Sequence, residues 1–331
     1  MAGLTHTELS MLDLLRSGGG FHSSAELTEK LGVTRAAMSK AVARLRDRGY
    51  GIESKASVGY ALESLPDRLY PELIQHGLET QFAGQEIVWF EKTDSTNTQA
   101  ARLADKGAAE GVLVVAESQS AGRGRLGRSW VSPAGLNFYG SFVLRPSLAP
   151  VAAAQVTLLS GLCVARSIEA VSGVRPRIKW PNDVLIGDRK VSGVLTESSS
   201  ELDRINWIVL GIGVNLNVEK FPAELKDIAT SVRIESGNRV DRAAFARRLC
   251  MELEAHYLRF VTQGFAPFRD DWERFARMAG EEVRVGTGTE TVEGRSLGLD
   301  SDGFLQVETA ERRVVRIVAG DVTLIRGQNR R

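Results

Sequence analysis

Residues 116–133 read AESQSAGRGRLGRSWVSP, and the choice of fold turns on what the glycines at 122, 124 and 127 are for. They satisfy G-x-G-x-x-G and follow GVLVVA, an apolar run that reads as a buried strand, so the stretch has the outline of a dinucleotide-binding turn. A dinucleotide fold needs a helix opening at the third glycine and an acidic residue about 20 positions later to hold the ribose. After Gly127 comes RSWVSPAG, where Pro133 and Gly135 break any helix, and no Asp or Glu stands between Glu117 and Glu169. The stretch therefore reads as a cationic loop. Its glycines let the backbone approach a ligand, and Arg123, Arg125 and Arg128 match phosphate or carboxylate oxygens. A solvated turn is the plain alternative, but three cations with no acid nearby in sequence argue against it.

The chain around this loop has 331 residues, more than one core usually spans, so two or three domains are expected. Charge is balanced, with 42 basic against 41 acidic side chains, so affinity for a polyanion must come from local clustering. Cys163 and Cys250 lie in apolar, helix-like surroundings without C-x-x-C spacing, which points to buried thiols in a reducing cytoplasm. His6, His22, His76 and His256 are scattered, and no protein-bound metal is expected. His6, Glu8 and Asp13 stand where a signal peptide needs a basic and then apolar start. The uncharged run from Pro146 to Ala165 has the length of a membrane span, yet Pro150, Gln155 and Thr157 favour a buried helix from about Ala152. A cytoplasmic protein with no membrane partner is expected.

Residues 1–64 carry the pattern of a winged helix-turn-helix. THTELSMLDLLRSG reads as a helix with Leu9, Leu12 and Leu15 near one face, SSAELTEKLG as a second ending at Gly32, and RAAMSKAVARLRDRG as a third capped by Thr34. GIESKASVGYALES then reads as two short strands around a turn. The third helix sets Arg35, Lys40, Arg44, Arg46 and Arg48 against one acid, Asp47, while Met38, Val42 and Leu45 face inward. Such a helix suits phosphates; a solvated face of an interaction module is the alternative. Ser24, Thr34, Arg35, Lys40, Arg44 and Lys55 are the candidate DNA contacts.

Past a linker with Pro66 and Pro71, strands and helices alternate to about residue 275 in an α+β pattern. From about Glu281 the tail changes to period-two segments around turns, as in a small β-barrel. Three further motifs in the middle region carry polar chemistry. TDSTNTQAARL places Ser95, Thr96 and Asn97 at a helix start, where they either meet a ligand or cap the helix with Asp94. IKWPNDVLIGDRKVSG offers Lys179 and Lys190 as cations and Asp183 as a base or metal ligand, or is simply a hairpin. WIVLGIGVNLN has Gly211 and Gly213 for close backbone approach and Asn215 for a purine edge, or is a tightly packed core strand.

In this order and spacing, AESQSAGRGRLGRSWVSP, KWPNDVLIGDRKVSGVLTE and GIGVNLN resemble the biotin protein ligases. FHSSAELTEKLGVTRAAMSKAVARLRDRG is similar to the N-terminal half of the two-function members, which are also biotin operon repressors. The likeness spans essentially the whole chain. It implies an α+β multidomain protein: a winged helix-turn-helix at 1–64, a mixed α/β catalytic domain of the biotin/lipoate ligase type at 65–278, and an SH3-like β-barrel at 279–331. It implies that biotin and MgATP give biotinyl-5′-AMP, which then acylates a lysine of a biotin carboxyl carrier protein, a biotin–acetyl-CoA-carboxylase ligase reaction.

By the same resemblance, Ser95, Thr96, Asn97 and Gln119 serve the ureido ring, and Arg123, Gly124, Arg125 and Lys190 the carboxylate and phosphoryl group. Arg128, Trp130, Lys179 and Asn215 lie near the nucleotide. Arg125, Lys190 and Asp183 are the expected catalytic groups, Asp183 as base toward the acceptor lysine. The adenylate is expected to pair two copies on operator DNA. Leu126 stands where the family's repressor-type loop has another arginine, and SVGY replaces a wing turn with a lysine between two glycines, leaving Lys55 as the nearest cation. A biotin-sensing repressor without catalysis would not need Lys190 together with the arginine loop; a lipoate ligase fits GRGRLGR and KWPND less well.

Overall fold

The computed structural model describes residues 3–17, 19–201, 204–288 and 290–325. The ends of the first and last domains drawn from the sequence, 1–2 and 326–331, lie outside them. The chain falls into two compact units, Met1–Arg68 and Leu69–Arg331.

In the first unit α1 (His6–Ser17) buries Met11, Leu12 and Leu15. Leu9, which the spacing places near that face, is 38% exposed. Glu8 holds the inward position instead, because its carboxylate accepts from Thr5 N–H at 2.8 Å and pairs with Arg44 at 3.0 Å. α2 (Ser24–Leu31) is capped by Ser23 and ends on Gly32 at φ +62. α3 (Arg35–Asp47) is capped by Thr34, whose hydroxyl accepts from Ala37 N–H at 3.2 Å, and buries Met38, Ala41, Val42 and Leu45. β1 (Gly51–Lys55) and β2 (Gly59–Ser64) form the antiparallel wing. Gly59 has no substitute there: a Cβ would stand 1.8 Å from the His22 carbonyl oxygen.

The second unit opens with α4 (Pro71–Ile74), β3 (Ile87–Phe90), α5 (Thr96–Asp105), β4 (Leu113–Ala116) and β5 (Phe138–Leu144). α6 (Ala152–Ser172), β6 (Arg177–Lys179), β7 (Asp183–Ile186), β8 (Arg189–Glu201) and β9 (Arg204–Val214) follow. The strands make one mixed sheet in the order β3-β4-β5-β9-β8-β7-β6, parallel only between β3 and β4. β4 and β5 are buried along their whole length, so they read as continuous apolar runs. α5 packs against β4, β5 and β9, while α6 packs against β8 and α8 (Arg242–Gln263). Among the described residues α6 is the one helix long and apolar enough to cross a membrane; it begins at Ala152 as expected, and Val156, Leu159, Leu162 and Ile168 are fully buried.

α7 (Val232–Ser236) and α9 (Arg269–Ala276) are short additions. The tail forms β10 (Glu282–Gly286), β11 (Thr291–Leu299), β12 (Leu305–Glu308), β13 (Val314–Ile317) and β14 (Asp321–Leu324), an antiparallel sheet ordered β13-β12-β11-β10-β14. Val283, Val285, Leu305, Val307 and Val322 fill its inner side. Cys163 and Cys250 are both free and fully buried, and burial pushes the Cys250 thiol up to about 12. Among the described residues, one ion pair lies wholly inside this unit: Arg242 meets Glu117 at 3.0 Å with both side chains at 0% exposure. Glu117 also accepts from Leu69 N–H and Trp89 Nε1–H, and Arg242 donates to the Asn137 carbonyl.

Candidate functional site

The site is built where the start of α5, the arginine loop and the inner strands of the mixed sheet converge. Asp94 accepts from Ser95 N–H at 2.7 Å, and also from Thr93 and Gln99. The Ser95 backbone bond, first among these, holds its carboxyl below the usual range. That bond fixes the entry to α5. Ser95 occupies the cap position, yet its hydroxyl makes no capping bond and the residue is 3% exposed. Capping alone therefore does not account for it. Thr96 N–H and hydroxyl both reach Gln119 Oε1, at 2.8 and 3.2 Å. Asn97 donates from Nδ2 to the Leu195 carbonyl and to Glu197, and takes a hydrogen bond from Ser141 on Oδ1.

The loop is a folded hairpin. Gly124 N–H donates to the Arg128 carbonyl at 2.7 Å and Trp130 N–H to Gly122 O at 2.9 Å, while Leu126 sits in the left-handed region at φ 55 and is 77% exposed. The sequence places no acid near the three arginines, but the fold does. Arg123 meets Glu197 of β8 at 2.6 Å, and Asp321 of β14 takes both Arg125 and Arg128 at 3.2 Å. Arg125 also donates to Asn182 Oδ1 at 2.8 Å. Lys190 lies 2.6 Å from Asp183 and 5.6 Å from the Trp130 ring centroid.

Gly211 and Gly213 do permit close approach, and what approaches is the protein itself. A Cβ on Gly211 would lie 1.9 Å from Asn97 Oδ1, and one on Gly213 would lie 2.7 Å from Trp130. These glycines seat two site side chains flat on β9.

Two cavities result. Ser95, Thr96, Asn97, Gln119, Arg123, Gly124, Arg125 and Lys190 all line an inner one, which Tyr139, Asn182, Leu195 and Ile212 complete. Arg128, Trp130, Lys179, Asp183 and Asn215 line an outer one, which also takes in Asp321 and the exposed Ile228. Gly124, Arg125, Trp130, Asn182 and Lys190 belong to both. Asn215 gives its Nδ2 to the Thr230 carbonyl and receives Asn137 on Oδ1, so its edge is largely used within the fold.

Sequence reasoning missed Tyr139, Ser141, Glu197 and Asp321. Glu197 closes the quoted GVLTE string, and only the pairing of β8 with β9 brings it under Arg123; Asp321 is almost 200 residues from the loop and left no local signal.

In the first unit Ser24, Arg35 and Lys55 line a shallow polar concavity between the start of α2, the start of α3 and the wing. Lys55 pairs with Glu53 and lies 4.4 Å from the Phe21 ring centroid. Lys40 is exposed on α3; Thr34 is spent on capping and Arg44 on Glu8.

A model of the Biotin/lipoate A/B protein ligase family matches residues 89–215, one of the Biotin protein ligase C terminal domain matches 279–324, and an HTH domain model matches 7–61. The Bifunctional ligase/repressor BirA of Bacillus spizizenii is 39% identical over 311 residues, 93% of this chain and 95% of that protein. The protein of the same name from Escherichia coli is 33% identical over 306 residues, 91% of this chain and 92% of that one. The biotin protein ligase of Aquifex aeolicus, solved in complex with biotin and ATP, superposes with a TM-score of 0.64 at 32% identity, over 73% of this chain and 100% of that one. With its helix-turn-helix, its ligase core and its C-terminal sheet each matched, the chain belongs to the biotin protein ligase family, in the branch of the bifunctional ligase/repressors.

Proposed function

We propose that this chain activates biotin with MgATP to biotinyl-5′-AMP, releasing pyrophosphate, and then passes the biotinyl group to one lysine of a biotin carboxyl carrier protein, with AMP as leaving group. The observation that carries the reading is the meeting of two chemically different cavities at Gly124, Arg125, Trp130, Asn182 and Lys190. The inner cavity offers the Ser95 and Thr96 hydroxyls and the Gln119 amide to a ureido ring, with Leu195 and Ile212 beside them for an apolar body. The outer cavity offers the Trp130 face to a base and Arg128 and Lys179 to phosphates. A biotin carboxylate at the junction attacks the α-phosphorus there. Negative charge developing on the phosphoryl oxygens falls between Arg125 and Lys190, which stand preorganised to receive it.

Transfer needs a neutral amine, and a free lysine with pKa near 10.4 is neutral in only about one molecule in two thousand at pH 7. Asp183 is engaged by Lys190. As the phosphoryl oxygen comes to share the Lys190 ammonium, which has three donors, the Asp183 carboxylate is freer to take the acceptor's proton. Asn97, saturated by Leu195, Glu197 and Ser141, acts by shaping the pocket.

A second activity rests on a separate observation, the exposed Arg35 and Lys40 beside the concavity that Lys55 lines. Residues 1–64 bind operator DNA of biotin genes, and biotinyl-AMP pairs two copies there. The domain limits of this reading are 1–64, 65–278 and 279–331, and its setting is the cytoplasm.

Incubation with biotin, MgATP and a carrier domain, followed by mass measurement, tests the ligase. One biotinyl group on one lysine is the expected product. Modification by lipoate instead would reassign the substrate, and biotin binding without any product would leave a biotin-sensing repressor.

A further inference from the structure

A hydrogen-bonded circuit runs round the inner cavity and begins and ends on the arginine loop. Arg123 donates to Glu197 Oε1 at 2.6 Å, and Asn97 Nδ2 donates to Glu197 Oε2 at 2.9 Å. Ser141 bridges Asn97 Oδ1 at 2.7 Å to Thr96 Oγ1 at 2.8 Å. Thr96 reaches Gln119, whose Nε2 donates to Ser132 Oγ at 3.0 Å, and Ser132 donates to the Trp130 carbonyl at 3.0 Å. The circuit therefore ties both strands of the loop hairpin, at Arg123 and at Trp130, to the start of α5.

Glu197 is the one carboxylate in this circuit, and it lines neither cavity. Each of its oxygens takes a donor from a different element, one from the loop and one from α5. As a carboxylate it can only accept, so it fixes the Asn97 amide with Nδ2 outward and Oδ1 toward Ser141. Toward β9 Asn97 has no room to shift, since it rests on Gly211. A ligand that presses on Thr96 and Asn97 thus acts, through Glu197, on the placement of Arg123.

We infer that Glu197 is a positioning residue that couples filling of the ureido end of the cavity to the placement of Arg123 on the arginine loop. The inference rests on the ligase reading. Arg123 keeps further N–H groups for a ligand carboxylate while its Nη2 stays on Glu197, because guanidinium has five donors.

Glu197→Gln tests it. A glutamine offers one carbonyl oxygen to two donors, so either Arg123 or Asn97 loses its partner. Biotin affinity by calorimetry without ATP, and biotin KM in pyrophosphate release, are expected to weaken by roughly 10- to 100-fold, the worth of a hydrogen bond to a charged group. Biotinyl-AMP is expected to leave faster by a similar factor, while the KM for ATP moves less than about 2-fold. Glu197→Asp, with the charge on a shorter stem, recovers part of the loss. Arg123→Ala combined with Glu197→Ala is expected to lose clearly less than the product of the two single losses, because coupled residues do not add.

Equal shifts in both KM values would mark a general structural role and overturn the inference, as would multiplicative losses in the double variant or an unchanged Glu197→Gln. A wild type that binds biotin but releases no pyrophosphate sinks the ligase reading and leaves the calorimetric comparison in force; one that binds no biotin overturns both.

Discussion

Lys190 is held between a carboxylate and an aromatic face, 2.6 Å from Asp183 and 5.6 Å from the Trp130 ring centroid, and Arg125 is held by Asn182 and Asp321. Both cations are thus placed before any anion arrives, which is the condition for stabilising charge that develops during reaction. Lys190→Ala and Arg125→Ala are each expected to slow adenylate formation by about 100- to 1000-fold, or roughly 3 to 4 kcal/mol, with the fold intact. Pyrophosphate release measures this, and near-normal rates in both variants would refute the assignment. Asp183→Asn separates the two half-reactions. Supplied with preformed biotinyl-AMP, it is expected to bind the adenylate nearly as well as wild type but to transfer it more slowly; an equal transfer rate excludes Asp183 as base. The residue types for this chemistry, Asp183 among them, were legible in GRGRLGR and KWPNDVLIGDRK, whereas the acids that hold the arginines were not. Glu197 and Asp321 come to the loop through sheet pairing and through β14, and no spacing rule reaches that far.

At the scale of elements, β9 acts as a floor whose glycines are cut to fit side chains above it. The sequence allowed close approach at Gly211 and Gly213 but not the identity of what approaches. Gly213→Ala puts a methyl 2.7 Å from the Trp130 indole, which has to tilt. The expected outcome is a rise of about 10-fold or more in KM for ATP with a smaller change for biotin, read from initial rates; equal changes would move Trp130 away from the nucleotide. Helices such as α3 and α8 were legible because each buries a stripe, as Met38, Val42 and Leu45 do, whereas α6, buried on all sides from Leu158 to Ala165, was legible as an uncharged run. α1 departs from that rule at Leu9, where the buried Glu8, paired with a half-exposed Arg44, takes the inward place that apolar periodicity would give to leucine. α7, with five residues, is too short for a period to show.

Across the whole molecule, the buried Arg242–Glu117 pair joins α8 to the end of β4 and, through Leu69 and Trp89, to the first residues of the larger unit. Arg242→Met takes the guanidinium from a fully enclosed Glu117, at an expected cost of about 3 to 5 kcal/mol in urea unfolding of that unit. Combining it with Glu117→Gln is expected to recover part of the loss, and a cost below about 1 kcal/mol for the single change would show that the pair contributes little. The repressor reading makes its prediction at the same scale. One winged helix offers few phosphate contacts, so two copies on a palindromic site are needed for tight binding. Biotinyl-AMP, more than biotin, is expected to shift sedimentation toward a dimer and to tighten binding to a biotin-gene promoter. An adenylate that changes neither leaves the ligase standing alone.

The two enclosed thiols have a practical corollary. Cys163 and Cys250 are inaccessible and, with burial pushing Cys250 up to about 12, stay protonated at neutral pH. Maleimides, which react with thiolate at the surface, therefore pass over the native chain. Leu126 is 77% exposed at the tip of the arginine hairpin. Leu126→Cys thus creates a single labelling point, and a fluorophore there reports any change around the hairpin tip on ligand binding without removing either native cysteine.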